Sequence, residues 1–344
     1  MRRLGWIAVF LLGLMAAGLL GWTTLQRWLD APLRIEAGGH TIQIPRGQPL
    51  AATARRLTEA GVLEHPQWLV AWARLTGDDQ RVRAGEYLLP AGSTPRSMLE
   101  QFASGEVVQH SLTIVEGWHI RELRRALTGH AVLEQTLAGR DDAALMATLG
   151  AKELRPEGQF FPDTYLFDRG DTDVDLLRRA HERLQQELTA AWESRVGDLP
   201  LESPYQLLIL ASIVEKETAL ASERPRIAGV FIRRLRLGMR LQTDPTVIYG
   251  LGAGFDGNLR RRDLERDGPY NTYTRTGLPP TPIASVGREA LVAVARPDER
   301  DELYFVATGL GDGSHEFSRT LAEHERAVAR YLQRLRQRRL EQGR

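Results

Sequence analysis

The chain has 344 residues, which is enough for about two domains in addition to a membrane segment. Its 45 basic and 44 acidic residues give a formal net charge of +1, so the composition does not favour binding to nucleic acid or to strongly acidic partners. Cysteine is absent, which excludes disulfide bonds, a thiol nucleophile and thiolate metal sites.

The first feature in chain order is an apolar run, Leu4–Trp22, with no charge over 19 residues. As a helix it is long enough to cross a hydrocarbon core of about 30 Å. Two arginines precede it, so the positive-inside tendency places the N-terminus in the cytoplasm and the remainder outside. A cleaved signal peptide is the alternative, because Ala16 and Gly18 are small, but the apolar run continues past them. We therefore predict that residues 1–30 comprise a cytoplasmic N-terminus and a single transmembrane helix.

Residues 40–110 have the pattern of a small mixed domain. The expected elements are a strand at His40–Ile44, a helix from Leu50 that ends at Gly61, a helix at Pro66–Leu75, a strand at Glu86–Leu89 and a helix from Pro95 to Gly105. The strand-helix-helix-strand order resembles the LysM glycan-binding module. A spacer domain would have the same pattern, so both interpretations stay open.

The next part of the chain predicts two helices and one strand. A strand is expected at His110–Val115, followed by a helix that continues to Leu127. A charged helix is expected at Val174–Trp192. Residues 128–155 are polar and rich in alanine, and no element is predicted there.

Between these elements lies the aromatic segment Pro156–Phe167, with the sequence PEGQFFPDTYLF. Aromatic side chains interleaved with carboxylates suit a cleft wall that stacks on sugar rings and binds their hydroxyls. An aromatic turn within the protein core would have the same composition, so the segment by itself does not decide between the two.

The strongest functional signal is the stretch Ser203–Thr218, SPYQLLILASIVEKET. Ser203 and Gln206 predict a capping box at the start of a helix. The following positions, Leu207–Val214, contain a single polar residue, so this helix is expected to lie inside a domain.

Two acids stand at the far end of this helix. At about 100° per residue, Glu217 points in the direction of Leu210, whereas Glu215 lies roughly 160° away. Burial penalises the charged form of a carboxyl group and would raise the pKa of Glu217 to about 6, which suits a general acid. Alternatively, Glu217 pairs with an arginine or lies beyond the helix end in water. Glu215 and Lys216 are expected on a polar edge or in support of the site.

Downstream of this helix the pattern is mixed. The expected elements are a helix at Ile227–Leu237, a short strand, a turn and a helical turn over Arg240–Gly252, an irregular loop over Pro269–Pro282, a strand at Leu303–Ala307 and an amphipathic helix from Thr320 to Leu340. The loop is rich in Asn, Thr and Tyr, which is typical of loops that bind polar ligands. The cluster Arg260–Arg262 is expected in a solvated loop, although it could touch an anion.

Several of these blocks together resemble one family, the membrane-anchored endolytic murein transglycosylases of the YceG-like type. The matching blocks are ASIVEKET at 211–218, LQTDPTVIYG at 241–250, YNTYTRTGLPPTPI at 270–283 and YFVATG at 304–309, with AGEYLLPAG at 84–92 and EGQFFPDTY in the aromatic segment. The resemblance covers nearly the whole chain. One departure is Gln159-Phe160, where the family often has more tryptophan, which leaves aromatic stacking there in doubt.

The resemblance implies an α+β fold with a single N-terminal transmembrane helix, a small LysM-like subdomain at 40–110 and a larger mixed α/β catalytic domain at 111–344. It implies that Glu217, the second glutamate of the V-E-K-E-T motif, is catalytic. The implied substrate-binding positions are Glu157, Gln242, Asp244, Asn271 and Tyr273.

The implied reaction is cleavage of the MurNAc-GlcNAc β-1,4 bond within nascent peptidoglycan glycan strands to give 1,6-anhydroMurNAc ends, which limits strand length. No cofactor or metal is implied. The implied location is the cytoplasmic (inner) membrane with the catalytic part in the periplasm, near peptidoglycan synthases, the penicillin-binding proteins.

Two other functions remain open on the residues alone. A hydrolytic muramidase would pair Glu217 with Asp244 or Glu157 as a second carboxylate. A non-catalytic anchor would bind the cell wall and tether synthases. The absence of H-E-x-x-H and G-x-S-x-G motifs is evidence against a zinc protease or a serine hydrolase.

Overall fold

The computed structural model describes residues 2–342 as a mixed α/β protein of two compact units. The first unit comprises the chain up to His110 together with Leu166–Asp171. The second comprises Ser111–Tyr165 and the chain from Thr172 onwards.

The N-terminal helix α1 spans Arg2–Leu29. Within the described residues, it is the one helix with an apolar stretch long enough to cross a membrane, over Val9–Leu29, and that stretch is not buried in the protein. Its last residue, Leu29, is nevertheless fully buried, because the end of α1 packs into the first unit. The apolar helix predicted from the sequence is therefore present.

The remainder of the first unit contains the strands and helices that the sequence predicts. They are β1 (His40–Ile44), α2 (Leu50–Glu59), α3 (Pro66–Thr76), β2 (Gly85–Leu89) and α4 (Pro95–Ser104). The strands β1 and β2 are antiparallel, with Ile42 opposite Tyr87. Alternation along β1 directs Ile42 and Ile44 into a core that also contains Leu57 and Phe102.

A second strand pair is formed by β3 (Gln109–Thr113) and β4 (Thr164–Asp168), and the sequence predicts only the first of the two. The helices α5 (Ile120–Thr128) and α6 (Asp142–Thr148) lie between them in the chain, so part of the unassigned segment 128–155 is helical.

The aromatic segment does not form an accessible stacking surface. Phe160, Phe161, Tyr165 and Phe167 are all at most 9% exposed, and Gln159 is also buried. Of the two interpretations of this segment, the core is therefore the correct one. The other interpretation, a sugar-stacking wall, does not fit this burial, because the apolar area of the rings is removed from solvent.

The second unit is mainly helical. Its remaining elements are α7 (Asp173–Glu193), α8 (Pro204–Glu217), α9 (Arg224–Arg236), α10 (Asp244–Leu251), α11 (Arg261–Glu265), α12 (Arg288–Ala295), β5 (Tyr304–Ala307), β6 (His315–Ser318) and α13 (Leu321–Gln342). Helix α8 packs against α7, α9 and α12, and β5 pairs with β6 in antiparallel fashion.

Helix α8 is buried as its sequence predicts, and all residues from Leu207 to Val214 are at most 4% exposed. The Ser203 side chain accepts a hydrogen bond from the Gln206 amide, as expected of an N-cap. The reciprocal half of the capping box is not formed, because the Gln206 side chain accepts from the Glu202 amide instead.

Two local predictions downstream are wrong. The short strand expected after Arg240 is absent, and an irregular segment leads directly into α10. There Gln242 has a φ of 53°, which is incompatible with a strand. Arg261 and Arg262 of the arginine cluster lie in the short helix α11 instead of a loop, and Arg260 is its N-cap. The cluster is solvated as expected, with Arg260 paired to Asp256 and Arg261 to Glu265.

One polar residue links α8 to the irregular loop that follows α11. The Ser212 hydroxyl donates to the Ile209 carbonyl at 2.7 Å and accepts from the Ile283 amide at 2.9 Å. Because Ser212 is fully buried, its removal would leave the Ile283 amide without a partner.

We predict that Ser212→Ala lowers the free energy of unfolding by about 1 to 3 kcal/mol, the cost of a buried amide without an acceptor. Denaturant unfolding of the full chain, with hydrogen exchange at the Ile283 amide, measures this. The control is Thr148→Ala, an exposed helical hydroxyl, for which a change within about 0.5 kcal/mol is expected. Equal stability of the two variants, with unchanged exchange at Ile283, would contradict the assigned role.

Candidate active site

Glu217 is the last residue of α8 and lies in the wall of a cavity of about 530 Å³. Its backbone ends the helix because Thr218 is extended, with φ −146° and ψ 138°. The carboxyl oxygen Oε1 accepts a hydrogen bond from the hydroxyl of Thr243. The side chain is therefore held in the cavity wall by a threonine and does not lie past the helix end in bulk water.

Burial raises the pKa of Glu217 to about 7, and the nearby negative charge of Asp244 acts in the same direction. The hydrogen bond from Thr243 and the positive charge of Arg234 oppose this shift. The position at the helix C-terminus also disfavours a negative charge, because unpaired carbonyl groups point that way. Glu217 is thus an acid that holds its proton near neutral pH.

The irregular segment 241–244 places Thr243 against Glu217. Its conformation is fixed from one side by Arg234 of α9, which donates from Nη1 to the Leu241 carbonyl at 2.8 Å and from Nε to the Leu303 carbonyl at 2.7 Å. Arg234 is only 7% exposed, so these bonds form in a dry environment, where they are strong. On the other side, the Thr243 amide donates to the hydroxyl of Thr272 at 3.1 Å.

Tyr273 and Asp244 form the polar rim of the same cavity. The Tyr273 hydroxyl donates to Asp244 Oδ1 at 2.5 Å, and both residues line the cavity with Gln242. Burial, followed by this bond to a carboxylate, raises the pKa of the Tyr273 phenol, which therefore stays protonated. Three of the five predicted binding residues are thus brought together with Glu217.

Asn271 does not line that cavity and has a supporting position. Its side-chain oxygen accepts from the Tyr273 amide at 2.8 Å, and its NH₂ group donates to the carbonyls of Asp263, Leu264 and Arg266. These bonds satisfy the carbonyl groups at the end of α11. Asn271 thereby holds the backbone from which Tyr273 projects.

Glu157 also lies apart from the residues that line the Glu217 cavity. It is 4% exposed, and its Oε1 accepts from the Ile120 amide at 3.0 Å, at the first turn of α5. Burial raises its pKa to about 7, while that amide and a hydrogen bond with Tyr249 lower it. Glu157 is a second buried acid with a pKa near neutrality, and its contacts tie α5 to Tyr249 of α10.

Glu215 does not lie on a polar edge of α8. Its side chain is 4% exposed, pairs with Arg224 at 3.3 Å and accepts from the Gly287 amide at 3.0 Å. Of the two expectations for Glu215, the polar edge is wrong, because α9 and the start of α12 cover the side of α8 on which it projects. Lys216, by contrast, is exposed and donates to the Gly117 carbonyl at 3.1 Å.

The opposite wall of the cavity comes from the C-terminal part of the chain, which the sequence did not connect to the site. Tyr304 of β5 stacks on His324 of α13 with ring centroids 5.2 Å apart, and Tyr331 lies along the same helix. The residues of α13 in this wall are Leu321, His324, Val328 and Tyr331. Their spacing of three and four is the amphipathic signal that marks the inward face of a helix.

The arrangement combines one protonated acid with aromatic and hydroxyl side chains in an open recess. Burial lowers the pKa of the His324 imidazole, so this ring stays neutral and contributes a flat face. Aromatic faces suit the apolar faces of sugars, and hydroxyl groups bond their polar edges. The chemistry available is therefore proton transfer to and from a polar, ring-shaped ligand.

Comparison with known proteins identifies the family. Residues 42–330 match the sequence profile of the YceG-like family. A protein of Bacillus subtilis (strain 168) named endolytic murein transglycosylase is 31% identical over 308 residues, covering 85% of this chain and 84% of that protein. The chain therefore belongs to the YceG-like family.

Two further relatives agree with this assignment. A protein of the same name from Streptococcus pneumoniae is 28% identical over 360 residues, and the match covers 94% of this chain but 64% of that relative's length. The crystal structure of a yceG-like protein from Listeria monocytogenes is similar with a TM-score of 0.51 and 28% identity, covering 85% of this chain and 99% of that one.

The raised pKa of Glu217 has a consequence for stability. The folded state holds this proton up to about pH 7, whereas the unfolded state releases it near the ordinary value of 4.5. Stability is therefore fully present at low pH and is lost as pH rises from about 4.5 to about 7.

We predict that Glu217→Gln is more stable than the parent protein at pH 8, by about 1 to 3 kcal/mol, and gains little at pH 4. Thermal unfolding at the two pH values measures the difference. Glu193→Gln, a substitution of an exposed glutamate on α7, is the control and should give no such pH-dependent gain. A constant difference between Glu217→Gln and the parent at both pH values would contradict the buried protonated acid.

Proposed function

We propose that this chain is an endolytic murein transglycosylase in which Glu217 is the single catalytic acid and base. The observation that carries the proposal is the position of Glu217 in the cavity, partly accessible to a ligand yet with a pKa raised to about 7. A group with a pKa near neutrality can both give and take a proton at physiological pH. Membership of the family, and the names of its relatives, support the same function.

In the proposed reaction the substrate is the MurNAc-GlcNAc β-1,4 bond of a peptidoglycan glycan strand. Glu217 donates its proton to the bridging oxygen, and the C1–O bond breaks as positive charge develops on the MurNAc ring. The 6-hydroxyl of the same sugar attacks C1 and returns its proton to Glu217. The product is a 1,6-anhydroMurNAc end, no water is consumed, and the acid is ready for another cycle.

The surroundings of Glu217 support both half-reactions. The hydroxyl of Thr243 and the guanidinium of Arg234 stabilise the carboxylate after the first proton transfer, while burial favours its reprotonation. Gln242, Asp244 and Tyr273 offer hydrogen bonds at the rim, and the stacked rings of the opposite wall offer apolar faces.

The main alternative is a hydrolytic muramidase with a second carboxylate. Asp244 is the one that lines the cavity with Glu217, and Glu157 does not line it. Asp244 already accepts a hydrogen bond from Tyr273, which suits it to hold a sugar hydroxyl or to orient Tyr273. A non-catalytic anchor is the other alternative, and the proton-holding acid in the recess argues against it.

The location and partners are part of the proposal. Helix α1 is long and apolar enough to act as a single membrane anchor, with the N-terminus in the cytoplasm and the catalytic unit in the periplasm. The order β1, α2, α3 and β2 supports a LysM-like glycan-binding module within residues 40–110. Enzymes that lengthen glycan strands, the peptidoglycan synthases, are the proposed neighbours because they supply the substrate.

We predict that Glu217→Gln lowers turnover of uncrosslinked glycan strands by at least about 100-fold, because an amide cannot supply the proton that Glu217 donates. Mass spectrometry of the fragments from the parent protein should give anhydro ends, one water lighter than reducing ends. Glu193→Gln is the matched control, and its activity should be unchanged. Reducing ends in place of anhydro ends would refute the lytic step, and full activity of Glu217→Gln would refute the catalytic acid.

The pH dependence of activity should reveal two of the groups that shift the pKa of Glu217, Thr243 and Asp244. Activity requires the protonated acid, so it should fall as pH rises above about 7. Thr243→Val removes a hydrogen bond that lowers the pKa of Glu217, so the fall in activity should move to higher pH. Asp244→Asn removes a negative charge that raises the pKa of Glu217, so the fall in activity should move to lower pH.

Initial rates of fragment release between about pH 5 and pH 9 measure both shifts. In Asp244→Asn the new amide oxygen can still accept the Tyr273 hydrogen bond, which separates the effect of charge from that of shape. Shifts of the two variants in the same direction would contradict the assigned electrostatics.

A further inference from the structure

Aromatic side chains join the end of α1 to α3 within the first unit. Trp22 lies 5.8 Å from Trp72 between ring centroids, and Trp28 lies 5.5 Å from Trp68 in an edge-to-face contact. Residues later in α1 thus contact residues earlier in α3. The two helices are antiparallel where they touch, so the C-terminal end of α3 points back along α1 towards its apolar stretch.

This junction is fixed by buried and polar contacts. At the end of α1, Leu29 is fully buried and Trp28 packs against the core of the unit. Arg96 of α4 donates to Gln26 at 2.6 Å and to Asp30 at 2.8 Å, and its guanidinium lies 5.3 Å from the centre of the Trp72 ring. Helix α1 is therefore continuous with the folded unit and is not attached through a flexible linker.

The position of Trp22 sets the depth of α3. Trp22 ends the uncharged run of α1, and tryptophan at such a position favours the membrane-water interface. Trp72 lies beside it at the same level. Leu75 follows three residues later, about 4.5 Å further towards the bilayer at the rise of an α-helix.

Leu75 has the exposure expected of a side chain that meets lipid. It is 71% exposed, although it lies three residues after Trp72 and seven after Trp68, on the same stripe of α3. Arg74 beside it is exposed and has a stem long enough to reach lipid phosphates. The acidic residues Asp78 and Asp79 follow immediately, which limits any insertion to a shallow depth.

We propose that the last turn of α3, centred on Leu75, inserts into the outer leaflet at the boundary between headgroups and acyl chains. The first unit then contacts the bilayer at two points, α1 and this turn, and its orientation relative to the membrane is fixed. This inference rests on the proposed membrane anchoring by α1. Interfacial helices bind membranes in a similar way, by burying apolar side chains at the boundary between headgroups and acyl chains.

The absence of cysteine allows a direct test with single-cysteine variants of the full chain. Leu75→Cys probes the turn, Gln67→Cys probes an exposed position at the other end of α3, and Leu14→Cys probes the anchor. Each is labelled with a polarity-sensitive fluorophore and reconstituted in phosphatidylcholine and phosphatidylglycerol vesicles. Lipids with a nitroxide near the top or near the end of the acyl chain quench probes at shallow or deep positions in the bilayer. Iodide quenches probes that are exposed to water.

At Leu75 the shallow nitroxide should quench strongly and iodide weakly. At Gln67, about 12 Å further out along the helix, iodide should quench and neither lipid should. At Leu14 the deep nitroxide should dominate. A Leu75 probe that behaves like the Gln67 probe while Leu14 is quenched by lipid would overturn this inference alone. Absence of lipid quenching at Leu14 would overturn the anchoring proposal and this inference with it.

Discussion

The removal of water from one carboxyl group is the constraint on which the site depends. Glu217 stands at the end of a helix whose central residues, Leu207–Val214, are all buried, so its position is set by the packing of α8 within the second unit. Because burial raises the cost of its charge, the group keeps its proton near neutral pH. The same burial that suits proton transfer lowers the stability of the fold at alkaline pH, a conflict that is common at functional sites.

The rest of the site is held by arginines, of which Arg224 and Arg234 are buried. Arg234 ties α9 to the Leu241 and Leu303 carbonyls, and Arg233 and Arg226 reach the buried Glu302. Arg224 pairs with Glu215 and Glu289 at the other face of α8. These guanidinium groups bind backbone carbonyls and carboxylates, and Arg234 thereby fixes an irregular segment that no sheet or helix supports.

The blocks that carry the family resemblance are far apart in the chain and meet at one cavity. Glu217, Gln242, Tyr273 and Tyr304 come from four separate blocks, and all of them line it. The aromatic block near Glu157 does not line this cavity. Its rings are buried in the core, and the Glu157 carboxyl group accepts a hydrogen bond from the first turn of α5. Similarity of sequence alone does not separate a block that forms the site from a block that forms the scaffold.

The sequence by itself determined the apolar N-terminal helix, the elements of the first unit and the buried helix α8, because each depends on local periodicity, capping or composition. Only the tertiary structure decided that Thr243 holds the acid, that Arg234 shapes the neighbouring segment, that Glu215 is buried and that α13 closes the opposite wall. Those features depend on contacts between residues distant in the chain. No local pattern specifies them, because the partner that buries or bonds a side chain is set by packing.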